Sequence, residues 1–280
     1  MNKFSILFFL LITFSSNCLG QVDKKPSNQS NIVTQEEKEL IEKLTSKIDL
    51  KKIQKFDSLY NYNPLSDSTD YRGIAVLLIW EQYYDLAIKK TNQELSVNPN
   101  NADALHLKGY ILNENGNPNK SLEYFNKAIK LNDSNDVFYY NRGLAYYRLN
   151  NFKKAINDYS KTIELNPKNT DVYINRALAY EGIKRFENAI KDYTTDINLF
   201  GESARSYNNR GRCYMILKNY KNALNDYDKA LLIEPNKANT LYNKGILYFR
   251  QEQYDIGCEF IKKAKDLGYD DGGLYENYCK

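Results

Sequence analysis

The sequence predicts an all-α fold, a solenoid of helix-turn-helix units, on three observations. A small residue recurs every 34 positions, at Ala75, Gly109, Gly143, Ala177, Gly211 and Gly245. Around each one, apolar and aromatic residues fall at spacings of three and four, the period of an amphipathic helix. Each unit carries two such patterns with a turn between them, as at Asn150-Asn151. A constant period of this length marks a repeat array, in which units stabilise one another through neighbour contacts rather than through one large core.

Asp136 to Asn169 is the clearest unit. Its first half presents Tyr139, Gly143, Tyr146 and Leu149 along one helical face. Its second half presents Phe152, Ala155, Ile156, Tyr159, Ile163 and Leu165, and Pro167 stops it, because proline lacks an N–H and disfavours helix in the residue before it. Gly143 and Ala155 let the two axes approach, and the large residues beside them fill the space. The same scheme gives Tyr173, Ala177, Tyr180, Ala189 and Tyr193, then Tyr207, Gly211, Tyr214, Ala223, Tyr227, Ala230 and Pro235, then Leu241, Gly245, Tyr248 and Ala264.

These residues resemble the tetratricopeptide repeat pattern, which sets Trp/Tyr, Leu, Gly, Tyr, Ala, Phe/Tyr, Ala and Pro at these offsets. The resemblance covers residues 68–271, as units starting near 68, 102, 136, 170, 204 and 238. It implies a right-handed superhelical solenoid of about six units with helical caps, and a non-enzymatic role in binding other proteins. Departures are Thr91 and Glu94 in the first unit, Gly257 in the last, and Asp133, Gly201 and Tyr269 in place of the closing proline.

Before the repeats, residues 1–20 read as a signal peptide: Lys3 is basic, Phe4 to Phe14 is largely apolar, and Ser15 to Gly20 is small and polar. Cleavage after Gly20 would leave Gln21 first. The competing reading lipidates Cys18, although Ser15 and Asn17 stand where lipoprotein signals prefer Leu and Gly or Ala. Residues 21–33 read as a flexible tether. Within 34–67, Thr34-Gln35-Glu36-Glu37 is a capping box leading into Leu40, Ile41, Leu44 and Ile48. That helix either caps the array or docks as a separate amphipathic element. No other stretch is apolar enough to span a bilayer. The expectation is an exported protein of the periplasm or cell envelope.

Export implies an oxidising space. Cys213 falls at a packing position and reads as a buried free thiol. Cys258 lies on the last unit's second helix, and Cys279 follows Gly272-Gly273 in the 272–280 tail. If that tail folds back as a cap, the two sulfurs can meet as a disulfide; otherwise both are free thiols.

Arg142, Arg176 and Arg210 occupy position 7 of their units, and Asp158, Asp192 and Asp226 occupy position 23. They suggest structural ion pairs between helices, with solvation of both groups as the alternative. Lys108 and Lys244 keep the positive charge at position 7.

The chemistry of the chain is sparse. A net charge of +4, with acids and bases interspersed, does not argue for nucleic acid. His106 is the single histidine, too little for a His-rich metal site, and reads as solvated or partner-facing. No phosphate-binding loop, dinucleotide fingerprint or zinc-protease motif occurs. Asp270-Asp271-Gly272-Gly273 lacks the alternate ligands of an EF-hand and reads as a turn. No catalytic residue, metal or cofactor is expected.

In tetratricopeptide repeat proteins the first helices line a concave face. Carried over by position, the resemblance implies a peptide groove made of His106, Tyr140, Asn141, Leu144, Tyr147, Asn175, Leu178, Arg205, Asn209, Arg212, Tyr242, Asn243 and Ile246. Asn141, Asn175, Asn209 and Asn243 recur at position 6 and can hydrogen-bond an extended backbone; alternatively they satisfy local groups. A carboxylate is favoured near Arg205 and Arg212. The carboxylate clamp of chaperone adaptors needs Lys at position 5 and Asn at position 9 of its first unit, and is absent. The expected partner is a protein or peptide, not nucleic acid. A structural subunit using its convex face or ends is the alternative, and an enzyme acting on envelope polymers a third.

Overall fold

A computed structural model describes residues 84–279. The signal peptide, tether, N-terminal helix, Cys18 and the first helix of the first unit lie outside the described residues. Those described form twelve helices and no strand. They are α1 (Tyr84–Val97), α2 (Ala102–Glu114), α3 (Pro118–Leu131), α4 (Asp136–Arg148), α5 (Phe152–Leu165), α6 (Val172–Gly182), α7 (Phe186–Phe200), α8 (Ala204–Ile216), α9 (Tyr220–Ile233), α10 (Ala238–Arg250), α11 (Tyr254–Asp266) and α12 (Leu274–Tyr278). None is long and apolar enough to cross a membrane.

The chain divides into two compact parts, ending at Leu149 and beginning at Asn150. In the first part α1 packs on α2, α2 on α3 and α3 on α4. In the second, α5 to α11 each pack on the next, and α12 lies on α11.

Local chemistry starts and turns these helices. The Asn101, Asn135, Asn151, Ser203 and Asn219 side chains accept backbone N–H groups at the entries to α2, α4, α5, α8 and α9, which satisfies donors a helix N-terminus leaves open. Among the described residues the turn between paired helices places position 15 in the left-handed region each time. It is Gly116 once, but Asn150, Lys184, Lys218 and Glu252 elsewhere. Side chains tolerate that conformation poorly, so tertiary packing fixes the turn.

Large buried residues sit opposite the small ones of position 8. A Cβ on Gly109 would come within 2.8 Å of Phe125, and one on Gly211 within 2.8 Å of Tyr227. Tyr159, Tyr193 and Tyr227 occupy the same register position as Phe125, and all are fully buried.

The cation at position 7 ties helices together in every described unit. Arg176 donates Nε and Nη2 to the two oxygens of Asp192, at 2.8 and 2.7 Å, and Nη1 to Ser160 of the preceding unit. Arg210 does the same with Asp226, at 2.8 and 2.8 Å, and with Thr194. Arg142 donates to Asn126; its position-23 counterpart Asp158 belongs to the other compact part. Where the cation is lysine, position 23 is aromatic instead. Lys108 lies 4.4 Å over the Tyr124 ring, and Lys244 lies 4.4 Å over Phe260 while pairing with Asp228. Asn126, Ser160, Thr194 and Asp228 all hold position 25.

The Asp226 side chain is 2% exposed, so replacing one partner of its pair should cost about 3–5 kcal/mol by stranding a buried charge. Arg210→Lys and Asp226→Phe each destabilise in urea unfolding, whereas the double variant, which recreates the Lys–aromatic couple, recovers at least about 1 kcal/mol of their sum. Additive losses would show that the two couples are not interchangeable.

Candidate peptide-binding face of the first helices

In the second part, α6, α8 and α10 bring forward Asn175, Leu178, Arg205, Asn209, Arg212, Tyr242, Asn243 and Ile246. Arg205, Asn208, Asn209 and Arg212 fall at i, i+3, i+4 and i+7 of α8, one helical stripe. Arg205 is exposed, and Asn209 and Arg212 are half-buried.

Much of the polar material on this stripe is bonded internally. Asn243 donates to Asn208 Oδ1 at 2.9 Å, and Asn208 donates to Asn209 Oδ1 at 3.2 Å. Arg212 Nη2 donates to Glu181 Oε2 at 2.6 Å, and the Tyr193 hydroxyl donates to Glu181 Oε1 at 2.6 Å. Burial works against the charge on Arg212, but Glu181 holds its pKa above the ordinary value. Burial, aided by Glu181, pushes up the hydroxyl of Tyr193, and burial likewise pushes up the Cys213 thiol. Cys213 is therefore a protonated, free, buried thiol, not a nucleophile. The Arg212 side chain remains 38% exposed against 11% for Glu181, so one edge of its guanidinium still faces outward.

Apolar members of the stripe contribute to packing. Leu178 packs against the buried group around Ala177, Tyr193 and Cys213. Ile246 packs against Met215, Tyr227 and Leu247. Tyr242 tilts against Tyr269 with ring centroids 4.6 Å apart.

In the first part, three expectations are corrected. Asn141 is wholly buried and Tyr140 nearly so, so neither belongs to an open surface. His106 is half-buried rather than free on the surface: its ring stacks on Phe138 at 4.7 Å and tilts against Phe125 at 5.6 Å, and its Nε2 lies 2.8 Å from Asn141 Nδ2. The reason is geometric. Position 5 of one unit meets position 6 of the next, and the same contact joins Asn208 to Asn243. Leu144 and Tyr147 are half-buried.

Sequence reading passed over Asn208 and Glu181 as site residues and took Tyr193 for packing alone. Glu181 stands at position 12 of its unit, one of the positions that face the groove in the family, and a search for a carboxylate to match Arg212 would have found it. Arg148 is likewise paired, with Glu114 at 2.7 Å. Among the described residues no cluster of three or more His, Cys, Asp or Glu side chains is placed to hold a metal.

Burial lowers the pKa of His106 from 6.5 to about 3. The folded chain therefore refuses a proton that the unfolded chain takes up below about pH 6.5. Its effect is absent above that pH and grows as the pH falls toward 3. At pH 5 it removes on the order of 1–2 kcal/mol of stability. Urea unfolding at pH 7 and pH 5 should show this loss, and His106→Gln should abolish it. An equal pH slope in the variant would sink the assignment.

Family models for the tetratricopeptide repeat match residues 137–169, 204–237 and 170–195, and a further TPR repeat model matches 109–150. No curated protein matches the chain. Among solved structures, the chain is similar to YrrB, a TPR protein with an unusual peptide-binding site, at 19% identity and a TM-score of 0.56, over 65% of this chain and 94% of that one. It is similar to PilF of Pseudomonas aeruginosa at 18% identity and a TM-score of 0.64, over 75% and 95% of the two chains. A tetratricopeptide repeat protein from Parabacteroides merdae matches at 20% identity and a TM-score of 0.57, over 86% and 98%. With the 34-residue register, the paired helices and these matches together, the chain belongs to the tetratricopeptide repeat family, whose members serve as protein-interaction scaffolds.

Proposed function

We propose that the chain is an exported scaffold whose first-helix face on α6, α8 and α10 binds an extended, acidic segment of a partner protein. The observation that carries this reading is the stripe on α8. Arg205 is exposed and makes no hydrogen bond or ion pair among the described residues beyond a longer-range attraction to Asp196, Asn209 is engaged through its Oδ1, and Arg212 is anchored at one edge only. Donors aimed outward from a rigid helix suit carboxylates and peptide carbonyls. Half-buried Tyr242 and Ile246 beside them supply apolar contact. The family supports such a use, as the peptide-binding site of YrrB illustrates.

The mature chain, immobilised and exposed to an envelope extract, should capture a partner. Arg205→Ala with Asn209→Ala should weaken that capture about tenfold, the equivalent of about 1.4 kcal/mol, and raised salt should weaken it too. Neither residue supports the core, so circular dichroism should be unchanged. Capture unaffected by both would remove the face from the function.

One observation favours a second reading, an assembly subunit that docks through its second helices. Leu199, Ile233 and Leu267 recur at the 34-residue interval and are 54%, 40% and 46% exposed, with Leu232 82% exposed beside them. Loss of the partner on Leu232→Asn, with retention by the α8 variant, selects that reading.

Export is part of the proposal. It rests on the basic and apolar character of residues 1–20, and a disulfide at Cys258–Cys279 suits an oxidising compartment. Intact mass of the protein from its native envelope should correspond to a chain beginning at Gln21. A lipid-bearing Cys18 would replace the soluble assignment with an anchored one, and an uncleaved chain would refute export by this segment.

A further inference from the structure

Residues 272–279 continue the 34-residue register beyond the sixth unit. Tyr275 falls at position 4, where earlier units have Tyr139, Tyr173 and Tyr207, and Cys279 falls at position 8, the small-residue position. Cys258 occupies position 21, where earlier units have Ile156, Ile190 and Leu224. At the preceding junction Leu224, and Ile246 of the following first helix, pack against the cluster that holds Leu247. At the last junction the apolar contact is replaced by a covalent one, Cys258–Cys279. Helix α12 therefore sits on α11 as a first helix sits on the second helix before it.

Little else holds it there. The helix has five residues, of which Leu274 and Tyr275 are half-buried and none is fully buried; a helix this short has no stability of its own. Asp271 accepts the Gly273 and Tyr275 backbone N–H groups at 3.0 and 2.9 Å, which shapes the entry to α12 but does not attach it to α11. Lys265 pairs with Glu276, each side chain 39% exposed, and an exposed pair of this kind contributes little. The two bridged cysteines are half-buried rather than enclosed, so a small thiol can reach them, whereas Cys213 is fully buried.

We propose that the Cys258–Cys279 disulfide is a redox latch, and that reduction by an external dithiol releases Leu274–Cys279 from α11 and uncovers the face of the last full unit. One thiolate of the dithiol attacks a bridge sulfur to form a mixed disulfide and expels the other cysteine as a thiolate. The second thiolate of the dithiol then displaces the remaining cysteine. The protein gains two electrons and two protons as two thiols, and the dithiol leaves as its cyclic disulfide. The repeats themselves do not depend on the bridge, because buried apolar contacts and the position-7 network join their neighbouring helices without it.

Hydrogen exchange read by mass spectrometry on the full chain, with and without dithiothreitol, tests the latch. Amides of 274–279 should exchange at least about tenfold faster after reduction, while those of 204–237 are unchanged. Cys258→Leu restores the residue type of the other units without a bridge, and its tail should exchange at the reduced rate with unchanged circular dichroism. Tail protection that survives reduction, or that survives in Cys258→Leu, overturns the proposal. So does alkylation of both cysteines in the untreated, air-exposed protein after denaturation.

Discussion

In the units starting at 170 and 204 the arginine at the seventh position is the contact on which the junctions depend. It lies between the aromatic rings at positions 4 and 11, as Arg210 lies 5.5 Å from the Tyr207 centroid and 6.0 Å from that of Tyr214. From there it reaches the second helix of its own unit and that of the unit before. A guanidinium has enough donors in a fixed fork to do both at once. A lysine has one ammonium, and Lys244 therefore divides its interactions between an aromatic face and one exposed carboxylate. The Arg–Asp form suits buried junctions, where a bidentate bond compensates the desolvation of Asp192 and Asp226. The Lys–aromatic form occurs in the units starting at 102 and 238, where position 23 is Tyr124 or Phe260.

A second layer of coupling runs through the first helices. At two junctions position 5 of one unit bonds position 6 of the next, His106 with Asn141 and Asn208 with Asn243. In a half-buried seam each such bond satisfies groups that would otherwise be costly to desolvate. The asparagines of a binding face thus double as struts between repeats. What is left for a partner is narrower than the full set of groove positions: the outward donors of α8 and the apolar surface beside them.

Strength of attachment varies along the second part of the chain. Junctions between full units combine buried apolar contacts with the position-7 network. The α11–α12 junction has an exposed ion pair and a disulfide. That contrast makes it the contact most open to chemical control, since thiol exchange acts on one bond and leaves the repeat core untouched.

The helix pairs, their period, the small residues of position 8 and the 7–23 spacing were legible in the sequence, because each follows from interactions that repeat at a constant interval. The Lys–aromatic couple was equally legible as a covariation of position 7 with position 23, and was missed because position 23 was compared only for a carboxylate. Position 25 was harder to read, since Asn126, Ser160, Thr194 and Asp228 differ in charge and shape and share only a small side-chain oxygen that accepts from the next unit's cation. The sequence by itself determined the family, the helices and the register. Tertiary structure alone decided which groove residues face outward: whether His106 is a neutral packing residue or Arg212 is tied to Glu181 depends on which side chains from units 31 to 35 residues away come to lie beside them, and helical periodicity within one unit carries no information about that.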